Sequence, residues 1–278
     1  MASFRWLAPA LALLALACQR TEPSSPVSQA ACPGAANLAD ATTDASGVPT
    51  DGDAGVPFNV LLFSRTAGFR HESIPTAIAQ LMALQASGGY VAEATEDPTE
   101  FSPGNLARFQ VVVFLLTTGD VLDDDQQAAF EGWIGAGGGY VGVHSAADTE
   151  YDWPFYGSLV GAYFLSHPDI QQASVDVEVA DHPADYPVIA GLPSPWVRTD
   201  EWYNFQTNPR PNVTVLATVD ESTYTGGTMG ADHPITWSHP TGGGGRAFYT
   251  AMGHTDESYC DPLFRHLLVG ALRWAAGR

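Results

Sequence analysis

Read for spacing of apolar side chains, the chain changes character near residue 56. Pro57–Phe63 (PFNVLLF) is a short, largely apolar run, the mark of a buried strand. Ile74, Ile78, Leu81 and Met82 then recur at helical spacing, and the pattern predicts a helix over 74–86 stopped by Gly88-Gly89. Tyr90–Thr95 reads as a second strand. Phe109–Leu116 (FQVVVFLL) is apolar almost throughout, as a central parallel strand covered on both faces must be. Asp123–Asp125 place carboxylates at a helix start that continues over 126–134, and Gly139–His144 is the next strand. Strands alternating with helices at this spacing predict βαβ units and an open parallel sheet with helices on both faces. The later half differs. Ala173–Val179 alternates with period two, and short strands are predicted over 197–205, 213–219, 235–238 and 247–250, before an amphipathic helix over 263–276. No internal repeat is found, and 56–278 reads as one domain.

What precedes it has the texture of a leader. Residues 1–18 (MASFRWLAPALALLALAC) set one arginine before an apolar run too short to span a bilayer, ending in small residues, which is a secretory signal. Ala15-Leu16-Ala17-Cys18 resembles a bacterial lipobox, with Ala15 where Leu is usual; lipidation at Cys18 and ordinary cleavage after Ala17 both fit. The expectation is an exported protein, an envelope lipoprotein or a periplasmic or secreted one, that meets a membrane only through such an anchor. Residues 19–55 are rich in Pro, Ser, Thr, Ala and Asp and predict a flexible tether.

Charge narrows the function classes. Eleven basic residues, all arginine, stand against 31 acidic ones, a net charge of -20. Nucleic acid is excluded as a partner for want of concentrated positive charge, and lysine-based chemistry is excluded outright. Of the three cysteines, Cys18, Cys32 and Cys260, only the last falls inside the domain, so neither a disulfide staple nor a cysteine-rich zinc site is expected.

The candidate chemistry lies in loops. Gly137, Gly139 and Gly142 match a dinucleotide fingerprint, but they enter a strand rather than leave one, so no nicotinamide cofactor is implied. His71 follows the first strand and His144 ends a later one, which puts both at the carboxyl edge of the sheet, where open α/β folds bind ligands. His254 in a Gly-His-Thr-Asp-Glu loop joins them as the third member of a predicted site. Imidazole serves proton transfer or a divalent metal, and no H-E-x-x-H spacing selects the metal. Ser145, after His144, is the nucleophile candidate of a strand-to-helix turn, although G-x-S-x-G is not matched; capping the turn is the alternative. Aromatic residues beside acids (Tyr151-Asp152-Trp153, Asp200-Glu201-Trp202-Tyr203, and Trp237) suit a carbohydrate ligand, whose CH faces stack on rings while its hydroxyls bind carboxylates. Core packing explains the same aromatics equally well.

Several of these blocks together carry a resemblance. Phe69-Arg70-His71-Glu72-Ser73-Ile74, Gly138–Ala146 (GGYVGVHSA), Tyr151–Tyr156 followed by Ser166-His167-Pro168, Asp200–Tyr203, His233–Trp237 and Arg246–Thr255 resemble the ThuA-like (trehalose utilisation) family. The resemblance implies the three-layer, flavodoxin-like architecture of the class I glutamine amidotransferase superfamily, with added β elements in the second half. That superfamily carries a thiol nucleophile at the strand-end turn, where this chain has His144 and Ser145, so amidotransferase activity is not expected. The family's link to disaccharide, glycoside and keto-sugar processing makes a carbohydrate the expected ligand. The catalytic candidates are His71, His144, His254 and Glu201. The substrate-binding candidates are Ser145, Asp148, Asp152, Trp153, His167, Asp200, Trp202, Tyr203, His233, Trp237 and Glu257. A glycan-binding lipoprotein without catalysis is the rival expectation.

Overall fold

The computed structural model describes Cys32, residues 56–178 and residues 188–278. The lipobox, His182 and the tether other than Cys32 lie outside the described residues.

In chain order the elements are β1 (Phe58–Phe63), α1 (Ile74–Ala83), α2 (Gln85–Gly88), β2 (Tyr90–Thr95), α3 (Pro103–Leu106), β3 (Val111–Leu115), α4 (Asp124–Gly135), β4 (Gly139–Val143), α5 (Pro154–Val160), β5 (Phe164–Ser166) and β6 (Gln171–Val177). They continue with β7 (Trp196–Asp200), β8 (Asn204–Phe205), β9 (Thr214–Val219), β10 (Pro234–Pro240), β11 (Arg246–Thr250), α6 (Asp256–Cys260) and α7 (Pro262–Ala275). Among the described residues, nine strands form one sheet in the order β2-β1-β3-β4-β11-β10-β9-β6-β7. Neighbours from β2 through β11 run parallel, and those from β11 through β7 antiparallel. The added β elements therefore extend the parallel sheet on one side.

The local reasons are visible in the residues. Every side chain of β3 and every residue of β4 is buried, as strands with helices on both faces require. Helix α4 starts at a capping box in which Asp123 accepts from the Gln126 backbone N–H and Gln126 returns the bond to Asp123. A Cβ on Gly142 would lie 2.5 Å from the Tyr140 hydroxyl and 3.0 Å from the Tyr249 ring of β11, so only glycine lets these two tyrosines pack so closely there. The sequence pattern merges two pairs of elements that are separate: α1 and α2 break at Leu84, and β7 and β8 are parted by Glu201-Trp202-Tyr203.

One expectation fails. Cys32 is bonded to Cys260 across 228 residues of chain, and Cys32 is itself buried. A cysteine in a segment of tether-like composition gives no hint of a packing partner, yet it closes on the end of α6. Among the described residues no helix is long and apolar enough to cross a membrane.

Candidate functional site

The carboxyl ends of β1, β4, β7 and β11 each feed one residue into a common centre. His71 arrives from the loop after β1, His144 directly follows β4, Glu201 follows β7, and His254 lies four residues beyond β11. The parallel strands bring three of these together by construction. Glu201 comes from the far edge of the sheet and is docked by its neighbour: Asp200 accepts from the backbone N–H groups of Gly253 (2.9 Å) and His254 (3.0 Å). Asp200 is fully buried and also pairs with Arg198 (2.9 Å) and the Ser258 hydroxyl (3.0 Å). Its charge is thus compensated while it staples β7 to the β11 loop. Gly253 sits at φ +115°, and a Cβ there would meet the Tyr259 hydroxyl at 2.9 Å, so the loop turns only on glycine.

His144 has φ +52°, a left-handed conformation that a non-glycine residue holds only under support from its surroundings. That support is explicit: its Nδ1 lies 2.6 Å from the Ala251 carbonyl, and its own carbonyl accepts from the Tyr249 hydroxyl at 2.7 Å. A carbonyl can only accept, so Nδ1 carries the hydrogen and Nε2 of the neutral ring presents a lone pair. Nε2 faces His254 Nδ1 at 3.1 Å and Glu201 Oε2 at 3.4 Å, and His254 Nδ1 is 3.1 Å from the same oxygen. His71 packs edge-on against both other rings, with centroids 4.9 Å away in each case. One donor atom from each of His71, His144, Glu201 and His254 lies within 4.8 Å of the others, so these four could hold a metal ion.

Electrostatics sets the protonation. Burial, reinforced by His144 and His254, pushes the His71 imidazole down to about 2, so it is neutral. Burial works against charge on Glu201, but its contacts with His144 and His254 prevail and hold it well below the usual carboxylate range. Burial likewise disfavours charge on His254, and the hydrogen bond to Glu201 outweighs it, raising its pKa. The other Glu201 oxygen, Oε1, meets His167 Nδ1 at 3.0 Å, and His167 is exposed. The carboxylate thus links a buried cluster to an imidazole at the surface.

The remaining predicted residues separate into neighbours and bystanders. The Ser145 hydroxyl is buried, 3.4 Å from His71 Nδ1; it is His144, not Ser145, that the strained turn pushes into the centre. Asp148 accepts from the Tyr151 hydroxyl at 2.7 Å, and burial raises its pKa. Tyr203 is buried with its ring 4.3 Å from that of His144, backing the cluster. Trp202 and Trp237 are wholly buried, donating to the Gln171 and Val160 carbonyls, so they cannot stack a ligand ring; they are core. Trp153 also belongs to the core, stacked over Tyr156. Asp200 is spent on Arg198, the Ser258 hydroxyl and the backbone of the His254 loop, not on a ligand. His233 is buried against Glu221 (2.8 Å) and the Tyr203 carbonyl (2.8 Å), away from the four. Exposed Asp152 lines a separate cavity of about 800 Å³ with Asp120, Tyr151 and Trp153, and Glu257 is exposed on α6. Phe69 and Ser73 stand in the sequence blocks without a site role, and Arg198 is left out. Arg198 shares the Asp200 face of β7 at period two, Ser73 donates to the His254 carbonyl at 2.7 Å, and Phe69 is 65% exposed with its ring 4.9 Å from His71.

With this geometry in place, comparison is decisive about kinship. The family model for ThuA, described as trehalose utilisation, matches residues 59–275. The chain belongs to the ThuA family. A ThuA-like protein from Bacteroides uniformis is 27% identical with a TM-score of 0.65, over 79% of this chain and 92% of that one. A ThuA-like protein from Parabacteroides merdae shares the fold at 20% identity and a TM-score of 0.66, over 79% and 90% of the two chains. A cytoplasmic protein of Salmonella typhimurium shares it at 13% identity and a TM-score of 0.53, over 78% and 98%. No curated protein matches the sequence. Membership supports a role in carbohydrate utilisation, and the match spans all four residues of the cluster.

Proposed function

We propose that this ThuA protein is a carbohydrate-processing enzyme that acts on a disaccharide, glycoside or keto-sugar by acid–base chemistry at the His71–His144–Glu201–His254 cluster. The observation that carries the reading is the Glu201 carboxylate, 92% shielded at its side chain and met by three imidazoles at 3.0–3.4 Å. Groups whose protonation is pushed apart in this way form an acid–base pair: Glu201, held ionised, accepts a proton, and His254, with its pKa raised, returns one. A ketone beside a sugar C–H acidifies it, so a carboxylate can remove that proton while an imidazolium protonates the departing glycosidic oxygen. Exposed Phe69, packed on His71, supplies the apolar face on which a pyranose ring rests.

The test is a turnover screen of the purified chain with disaccharides and their 3-keto forms. His144→Ala and Glu201→Gln are expected to cost the parent's activity about 100-fold or more. Sugar binding by the parent with no turnover would replace the enzyme by a glycan-binding module. A fluorophosphonate probe is expected to leave Ser145 unlabelled. The proposal extends to the compartment. The Cys32–Cys260 bond supports export, since disulfides persist in oxidising surroundings, and Cys18→Ser is expected to release the chain from the membrane fraction if Cys18 is its lipid anchor.

A further inference from the structure

The four side chains do more than share a cavity: their donor atoms stand where ligands of one ion stand. We propose that His71, His144, Glu201 and His254 form a binding site for a divalent transition-metal ion. It rests on the residues of the preceding reading but not on the identity of the sugar.

Three observations converge on it. The first is the triangle of His144 Nε2, His254 Nδ1 and Glu201 Oε2, whose sides are 3.1, 3.4 and 3.1 Å. Ligands bonded at about 2.1 Å lie about 3.0 Å apart at octahedral angles and about 3.4 Å at tetrahedral ones. The triangle is therefore one face of a coordination polyhedron, with the His71 ring closing the set within 4.8 Å.

The second is lone-pair direction. With Nδ1 donating to the Ala251 carbonyl, the neutral form of the His144 ring turns an Nε2 lone pair toward His254 Nδ1 and Glu201 Oε2, the orientation a metal ligand needs. In that form the carboxylate oxygen and the Nε2 lone pair, 3.4 Å apart, both face the space a cation would fill, and a proton on His254 Nδ1 serves them less well than an ion bonded to each. A metal satisfies all three atoms at once.

The third is the outer support that metal ligands require to hold their orientation. The His144 ring is fixed by Ala251, the His254 backbone by Asp200 and Ser73, and the outer oxygen of Glu201 by His167 at 3.0 Å. Three imidazoles with one carboxylate select zinc, manganese, iron, cobalt or nickel over magnesium and calcium, which prefer all-oxygen shells. The His254 side chain is 20% exposed, which leaves the ion reachable from solvent, as a catalytic site and not a closed structural one would be. Glu201 Oε1 and His167 would remain outside the coordination of the ion, which would supply a Lewis acid for a sugar oxygen.

The experiment uses the full oxidised chain, stripped with chelator and titrated with Zn²⁺ and Co²⁺ by calorimetry in the absence of sugar. One equivalent per chain is expected, and His144→Ala and Glu201→Gln are each expected to weaken binding at least 100-fold, while His239→Ala, at the opposite end of β10, leaves it unchanged. Because a cluster variant can fail by misfolding, the Co²⁺ form of the parent is read by proton NMR. Three paramagnetically shifted, exchangeable imidazole N–H signals support the site; fewer than three overturn the ligand set. No stoichiometric binding by a parent chain shown folded by circular dichroism overturns the site itself. Either failure leaves the carbohydrate reading to the turnover screen, and a silent screen leaves the metal titration intact.

Discussion

A histidine that stays neutral in the fold carries a pH signature. His71 in the unfolded chain takes a proton near 6.5, whereas in the folded protein burial postpones this to about 2. The unfolded state binds more protons in between, so stability falls as pH drops through that window. His254 has the opposite sign: its raised pKa contributes stability that is complete below about 6.5 and is lost as pH climbs through the folded value. Urea titrations in chelator between pH 7 and 4 are expected to show the acid-side loss, and His71→Asn to flatten it by about 1 kcal/mol per pH unit. An unchanged slope would mean that His71 is protonated in the fold. At this scale the sequence spoke unevenly. The three histidines were legible because strand ends converge in any open parallel sheet, and Glu201 because an acid pair stands beside aromatics, although the strand predicted over 197–205 runs through it. Trp202 and Trp237 misled, since an indole beside an acid looks the same in a sugar site and in a core. The positive φ of His144 left no trace, because only a glycine or asparagine would have announced it.

Between residue and molecule, two elements give direct tests. Helix α4 depends on its capping box, and Asp123→Ala is expected to cost about 1 kcal/mol in chemical denaturation without touching the cluster. The α6 segment is tied both to Cys32 by Cys260 and to Asp200 by Ser258 at 3.0 Å. Cys32→Ser and Cys260→Ser are each expected to lower stability by about 2–5 kcal/mol, equally and without additivity in the double variant, as loss of one shared bond requires. The parallel strands were readable since burial on both faces leaves continuous apolar runs. The antiparallel half was only partly readable: β5 has three residues, of which two are exposed, and offers no alternation long enough to detect. The disulfide was hidden because bonding partners 228 residues apart share no local pattern.

Across the whole molecule a net charge of -20 works against compactness. Screening lengths shrink from about 30 Å at 0.01 M salt to about 3 Å at 1 M, so raising sodium chloride through that range is expected to increase the melting temperature. A flat response in calorimetric scans would show that the acidic side chains are already spread too widely to repel. The same surplus occupies basic side chains: Arg210 is held between Glu178 and Asp232 at 2.6 and 2.7 Å.

The bond from Cys32 to Cys260 also decides where force enters the protein. Tension applied to any part of the chain ahead of Cys32 is delivered to the end of α6, and the covalent link shields β1 from being peeled out of the middle of the parallel strands. Helix α6 is anchored through Ser258 to the same aspartate that holds the His254 loop. A pull from ahead of Cys32 would therefore be felt first at the His71–His144–Glu201–His254 cluster, and the sheet would yield only after that helix had given way.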